Sequence, residues 1–219
     1  MITFEEIKNH PEIVAYIELG NQNLGAIGYT EHGFPHAVRS SSDSARILEI
    51  MGYDARTCEL GRIAGYIHDI GNVVNRENHA QSGALMAFDI LHRMGMDPAE
   101  VGLIVSAIGH HDEGTAFPVN AVAAALILSD KGDVRRTRVR DKETVSSDIH
   151  DRVNYAVEHS RLSIDSEESI AHLKLSIDTA ICPVMEYFEI FLGRMVLCRK
   201  AAQFFGLMFE LTINGTRLL

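Results

Sequence analysis

Between residues 36 and 131 the chain repeats one pattern: an apolar-periodic stretch of helical length that stops near a glycine. "HAVRSSSDSARILEIMG" stops at Gly52 and "RTCELGRIAGYIHDIG" at Gly71, both expected as left-handed C-terminal caps. "NHAQSGALMAFDILHRMG" stops at Gly95, and Leu85, Phe88, Leu91 and, less regularly, Met94 are expected to share its buried face. Asp97-Pro98-Ala99-Glu100 is a start signal, with a capping aspartate, a proline at the first helical position and a glutamate at the third. That helix runs through "VGLIVSAIGHH" and stops near Gly114. The next, "NAVAAALILSDKG", is apolar enough to be buried on most sides. A chain so patterned folds as a helical bundle.

After about residue 150 the period changes. Leu162 and Ile164 alternate with polar residues, as do Leu173, Leu175 and Ile177, with "DSEE" between the two runs. That is a β-hairpin signal. A long helix follows from Pro183 to about Phe205, then "LMFELTING" as a strand and an Asn-Gly turn. The expected fold class is mainly α, a helical bundle with a small C-terminal α+β extension. The expected division is 1–29 (a helix over 3–19, then "GNQNLGAIG" as a loop), 30–145 (the bundle) and 146–219 (the extension). No Pro/Gly/Ser-rich stretch separates the last two, so they are expected to pack together.

At 219 residues, with 46% hydrophobic and 23% charged, the composition is ordinary for a globular chain. Charge or glycine interrupts every apolar run before membrane-spanning length, and "MITFEEIKNH" carries acids where a signal peptide needs bases. A cytoplasmic protein is the expectation. Cys58, Cys182 and Cys198 lack metal-type spacing, and their odd number argues against a disulfide framework, so buried apolar packing is expected. A net charge of −10 disfavours general nucleic-acid binding, although "KGDVRRTRVRDK" at 131–142 concentrates cations.

Five histidine sites fall at helix ends: His36, His68 beside Asp69, His79, and the pair His110-His111. Asp130 ends the buried apolar helix, and no lysine or arginine lies one turn earlier to pair with it. A carboxylate there is costly to desolvate unless a cation meets it, and a metal ion would also account for the imidazoles. Taken singly, each residue reads best as an exposed helix end; the repetition at helix termini favours a metal centre. Adjacent helical residues point about 100° apart, so His68 and Asp69 suit a carboxylate that bridges two ions. Seven such groups exceed the needs of one ion and suit two. Imidazole and carboxylate without thiolate select a divalent transition metal, Mn or Fe first, then Co, Ni or Zn.

The order H…HD…H…HH…D over residues 30–135 resembles the HD-domain superfamily of metal-dependent phosphohydrolases. The resemblance implies an all-helical core with a binuclear centre between its helices. It implies that Asp69 bridges the ions, with His36, His68 and Asp130 on one and His79, His110 and His111 on the other. Two bound metals would then activate a water for in-line attack on phosphorus. Many members read HD-x-x-K, with the lysine near the substrate phosphate; Asn72 stands there in this chain, so charge stabilisation must come from elsewhere. "HHDEGTAFP" lacks Gly-Tyr-Pro, so the cyclic di-GMP subgroup is not implied. His32, one turn before His36, reads as a loop histidine.

The expected activity is hydrolysis of a small phosphorylated substrate, a phosphomonoester or phosphodiester of a nucleotide. Arg39, Asn72, Lys131, Arg135, Arg136 and Arg138 are the candidate substrate contacts, with Glu113 nearby. Two other readings stay open: a di-iron oxygenase, since HD-type ligand sets also serve O₂ chemistry, and a sensor that holds metal and nucleotide without turnover. The long C-terminal helix, apolar on more than one face, fits burial against the bundle or in a homodimer. The second Ile-His-Asp, at 149–151, lies among polar residues and is expected to be solvated or to support the site from behind the residues that touch metal or substrate.

Overall fold

A computed structural model describes residues 1–218. Its centre is α7 (Ala121–Lys131), in which every residue from Val122 to Lys131 is buried. Helices α3 (Phe34–Ile50), α4 (Ala55–Ile67) and α6 (Pro98–Gly109) pack around it, and α5 (His79–Arg93) lies against α6. Each fully enclosed aliphatic side chain of α7, such as Leu126 or Ile127, contributes about 1.5–3 kcal/mol by leaving water. Small residues set the helix spacing. A Cβ at Gly65 of α4 would lie 2.6 Å from the Ser40 carbonyl of α3, so only glycine lets these two helices approach so closely.

The first helices differ from expectation. After α1 (Phe4–Lys8), capped reciprocally by Thr3 and Glu6, α2 runs over Pro11–Ala26 and absorbs most of the segment read as a loop. Gly20 is a contact glycine: a Cβ there would lie 3.2 Å from the Val73 nitrogen. Asn23 donates to the Val73 carbonyl and Leu24 is buried, which holds the helix through its polar stretch. The chain turns only at Gly28, with φ of 85°.

Glycine roles also split in the bundle. Gly52 and Gly95 take positive φ (78° and 79°) after their helices. Gly71 does not; it lies in a 3₁₀ turn, 70–73, and is glycine because α5 crosses it. The apolar face of α5 is corrected too: Leu85 and Phe88 are 71% and 51% exposed, and Ala80, Gly83, Ala84, Ala87, Ile90 and Leu91 are buried. Close approach selects small side chains there, and bulk is left outside, where Phe88 stacks on His92.

The extension begins at α8 (Ile149–Ala156) and forms a four-stranded sheet ordered β1 (Val157–Asp165), β2 (Ile170–Ile177), β3 (Met208–Ile213) and β4 (Thr216–Arg217). The hairpin places Leu162 opposite Leu173, and α9 (Val184–Phe204) is the crossover that makes β2 and β3 parallel. Asn214 and Gly215 both take positive φ, the turn geometry that an Asn-Gly pair favours. Helix α9 buries Tyr187, Phe191, Met195 and Cys198 and exposes Met185, Leu192 and Val196. The extension packs on the bundle through α7 and α9, and Arg39 and Arg46 of α3 donate to the β1 carbonyls of Ser160 and Leu162. Cys182 and Cys198 are buried and Cys58 partly so, all as free thiols. No described helix is long and apolar enough to cross a membrane.

Candidate metal centre

Four imidazoles converge between α3, α4, α5 and the end of α6. His36 sits in the first turn of α3, and His68 and Asp69 follow α4 directly. His79 opens α5, held at that position by Asn78 in a left-handed conformation (φ 58°), which asparagine tolerates. The approach of α5 depends on Gly71, where a Cβ would lie 2.1 Å from the His79 carbonyl and 2.5 Å from the Gly83 nitrogen. His111 follows α6.

Each ring is oriented from behind. Nδ1 of His68 donates to the Gly65 carbonyl (2.9 Å), that of His79 to the Arg76 carbonyl (2.9 Å), and that of His111 to the Ile108 carbonyl (2.6 Å). Nδ1 of His36 donates to Asp133 (2.8 Å). All four partners are acceptors, so each Nδ1 carries a hydrogen and each neutral ring presents a lone pair at Nε2. Those nitrogens meet in two pairs, His36 with His68 and His79 with His111, each 3.2 Å apart.

Asp69 spans both pairs. Its Oδ2 lies 3.3 Å from His68 Nε2 and 3.6 Å from His36 Nε2, and its Oδ1 lies 3.5 Å from His79 and 3.9 Å from His111. Asp130 Oδ1 adds to the first pair, 3.2 Å from His36 and 3.7 Å from His68. His36, His68 and Asp130 form one group able to hold an ion, and His68, Asp69 and His111 another. Oδ2 of Asp69 is buried without a hydrogen-bond partner. A buried set of lone pairs and carboxylates facing one another fits divalent cations.

Charge in the cluster follows from its surroundings. Burial works against ionised Asp69 and Asp130, but His68 beside the first and Lys131 beside the second more than offset it, holding both well below the usual carboxylate range. Burial also works against a charge on His68; Asp69 and Asp130 outweigh it and raise its pKa to about 10. His111 and His79 are pushed down, chiefly by burial, so their Nε2 lone pairs face each other unprotonated. Arg76 Nη1 donates to His79 Nε2 at 3.2 Å, and only His79 of that pair receives it.

Of the seven expected ligands, six meet here and His110 does not. It caps α6, with its Nδ1 buried and unpaired, and makes none of the contacts above. Asp130, with no lysine or arginine one turn earlier, has Lys131 Nζ 2.7 Å from its Oδ2. The lysine next in sequence reaches back beside it, a pairing that a search one turn earlier misses.

The expected substrate contacts scatter. Arg39 is engaged by Asp133 (3.2 Å) and the Ser160 carbonyl, and Arg135 by Asp133 (2.5 Å). Arg136 donates to the Tyr155 carbonyl. Asn72 is buried and turns its amide back to the Asp69 carbonyl. Arg138 is buried, donates to the Glu31 and Asp133 carbonyls, and lines a cavity of about 480 Å³.

That cavity adjoins the cluster through two of its walls: His32, whose ring packs on His36 (5.6 Å between centroids), and Arg76. Its far side is the extension, with Asp148, His150, Asp151 and Asn154 from α8 and Phe191 and Arg194 from α9. The second Ile-His-Asp is therefore helical, with His150 exposed and Asp151 buried and bonded to Thr144. Sequence reasoning missed Asp133, Arg76 and Arg194. Asp133, three residues past Asp130 in "SDKGD", could have been noticed as a second acid near a ligand; nothing in the sequence joins Arg76 to Arg194.

No family model matches the chain. It is similar to an uncharacterized protein, MJ1020, from Methanocaldococcus jannaschii, 24% identical over 159 residues. The match covers 63% of this chain and 61% of that protein's length.

Proposed function

We propose that the chain is a metal-dependent phosphohydrolase acting on a small phosphorylated substrate, a nucleotide phosphomonoester or phosphodiester. The observation that carries this reading is the paired arrangement of four Nε2 atoms about one carboxylate, beside a cavity walled by arginines. His36, His68 and Asp130 would hold one ion, His79 and His111 the other, and Asp69 both. Two such ions, manganese or iron, would supply an activated water and neutralise phosphoryl oxygens. The protein's own residues orient and screen: the four Nδ1 contacts fix ring direction, and Asp133 fixes His36. Lys131, buried between Asp130 and Glu113, keeps the outer oxygen of Asp130 satisfied so that the inner one faces the imidazoles.

A panel of nucleotides, other phosphomonoesters and phosphodiesters, assayed with Mn²⁺, tests the reading. Phosphate release from at least one class is expected. No turnover on any of them, with iron-dependent O₂ uptake, would replace hydrolysis with oxygenase chemistry; ligand binding without turnover would replace it with a sensor.

A further inference from the structure

Asn72 leaves open which cation meets the substrate's phosphoryl group. We infer that Arg194 of α9, outside the bundle, is that group: it binds a phosphoryl oxygen of the substrate, and Glu113 presents it. The inference rests on the phosphohydrolase reading.

Arg194 Nε forms an ion pair with Glu113 Oε1 at 2.5 Å, and its guanidinium carbon lies 4.4 Å from the Phe191 ring centre. Stacking and a carboxylate on Nε hold the planar group in one orientation. Its two Nη groups, with four N–H donors, have no protein partner among the described residues, and the side chain lines the cavity at 22% exposure. Glu113 also meets Lys131 Nζ at 3.4 Å, and Lys131 meets Asp130 at 2.7 Å. One carboxylate thus ties the cavity arginine to the ammonium beside a candidate metal ligand, fixing the distance between them.

The surroundings agree in charge. Arg76, Arg138 and Arg194 outnumber Asp148 and Asp151 in a cavity wall of a chain whose net charge is −10. Arg138 gives Nε and Nη1 to two carbonyls, and Arg76 turns Nη1 to His79 and Nη2 toward Asp112 (4.0 Å), so Arg194 is the cavity arginine with both Nη groups left for an anion. Paired Nη donors match two phosphoryl oxygens side by side.

Calorimetric binding of inorganic phosphate to the Mn²⁺-loaded full chain tests this, alongside KM and kcat for p-nitrophenyl phosphate. Arg194→Gln should weaken phosphate binding at least tenfold and raise KM similarly, with kcat within about threefold and metal content unchanged. Arg194→Lys, which keeps a charge for Glu113 but lacks the fork, should show a smaller loss in the same direction and decides the matter if the glutamine variant does not fold. Arg93→Gln, at a remote surface pair with Glu12 and Asp89, should match the wild type. Wild-type phosphate affinity in folded, metal-loaded Arg194 variants would overturn the inference while leaving hydrolysis intact. Phosphate binding that depends on Arg194 in a protein without turnover would uphold the inference and overturn the hydrolase reading.

Discussion

Nε2 of His79 and Nε2 of His111 lie 3.2 Å apart with both Nδ1 hydrogens already given to backbone carbonyls. Two imidazole lone pairs held this way repel unless a cation meets both, and Arg76 reaches His79 alone. The scaffold that forces them together, the crossing of α5 over Gly71, is therefore part of the site.

Gly71→Ala should be strongly destabilising, because the added Cβ meets backbone at 2.1 Å and 2.5 Å and backbone cannot step aside. Overpacking typically costs about 1–3 kcal/mol, and the upper end or beyond is expected. Gly102→Ala, in α6 with open space around its Cβ position, should instead stabilise by up to about 1 kcal/mol. Thermal melts of the two variants check both signs.

The fold was largely legible because it obeys period. Alternation at 162–177 marks the hairpin, and Asp97-Pro98 marks the start of α6. What misled was glycine and residue size. A glycine at position 20 or 71 reads alike whether it frees a turn or admits another backbone, and only the neighbour tells which. On α5 the larger apolar residues suggested the buried face, whereas close approach chose Ala and Gly. In the site, six of the seven expected groups meet because their order along the chain follows the order of helix ends. The choice between His110 and His111 depends on how α6 terminates, and the cavity draws on segments from residue 27 to 194.

Asp133→Asn should weaken metal binding about 10–100-fold, since it removes the carboxylate that orients His36. It should also lower the melting temperature. Asp133 is fully buried among Arg39, Arg135 and Arg138, and removing one partner of a buried ionic group costs about 3–5 kcal/mol. Metal titration and melting of one preparation check both effects.

Metal binding should release protons. Without an ion, burial disfavours charge on His68 but Asp69 and Asp130 raise its pKa from 6.5 to about 10. The folded value is the higher one, so this contribution to stability is complete below about pH 6.5 and fades as pH rises through about 10. An ion must displace that proton, and affinity should therefore rise with pH across this window. Calorimetric titration at pH 7.5 in buffers of different ionisation enthalpy measures the release; a buffer-independent heat would contradict it.

Metal content per chain is the most direct test of the centre. Elemental analysis of the Mn²⁺-saturated wild type should find two ions, and Asp69→Ala should lose the pair. Asp151→Ala, changing the other His-Asp, should keep both. Equal loss in the two variants, or no bound metal in the wild type, would contradict the centre described here.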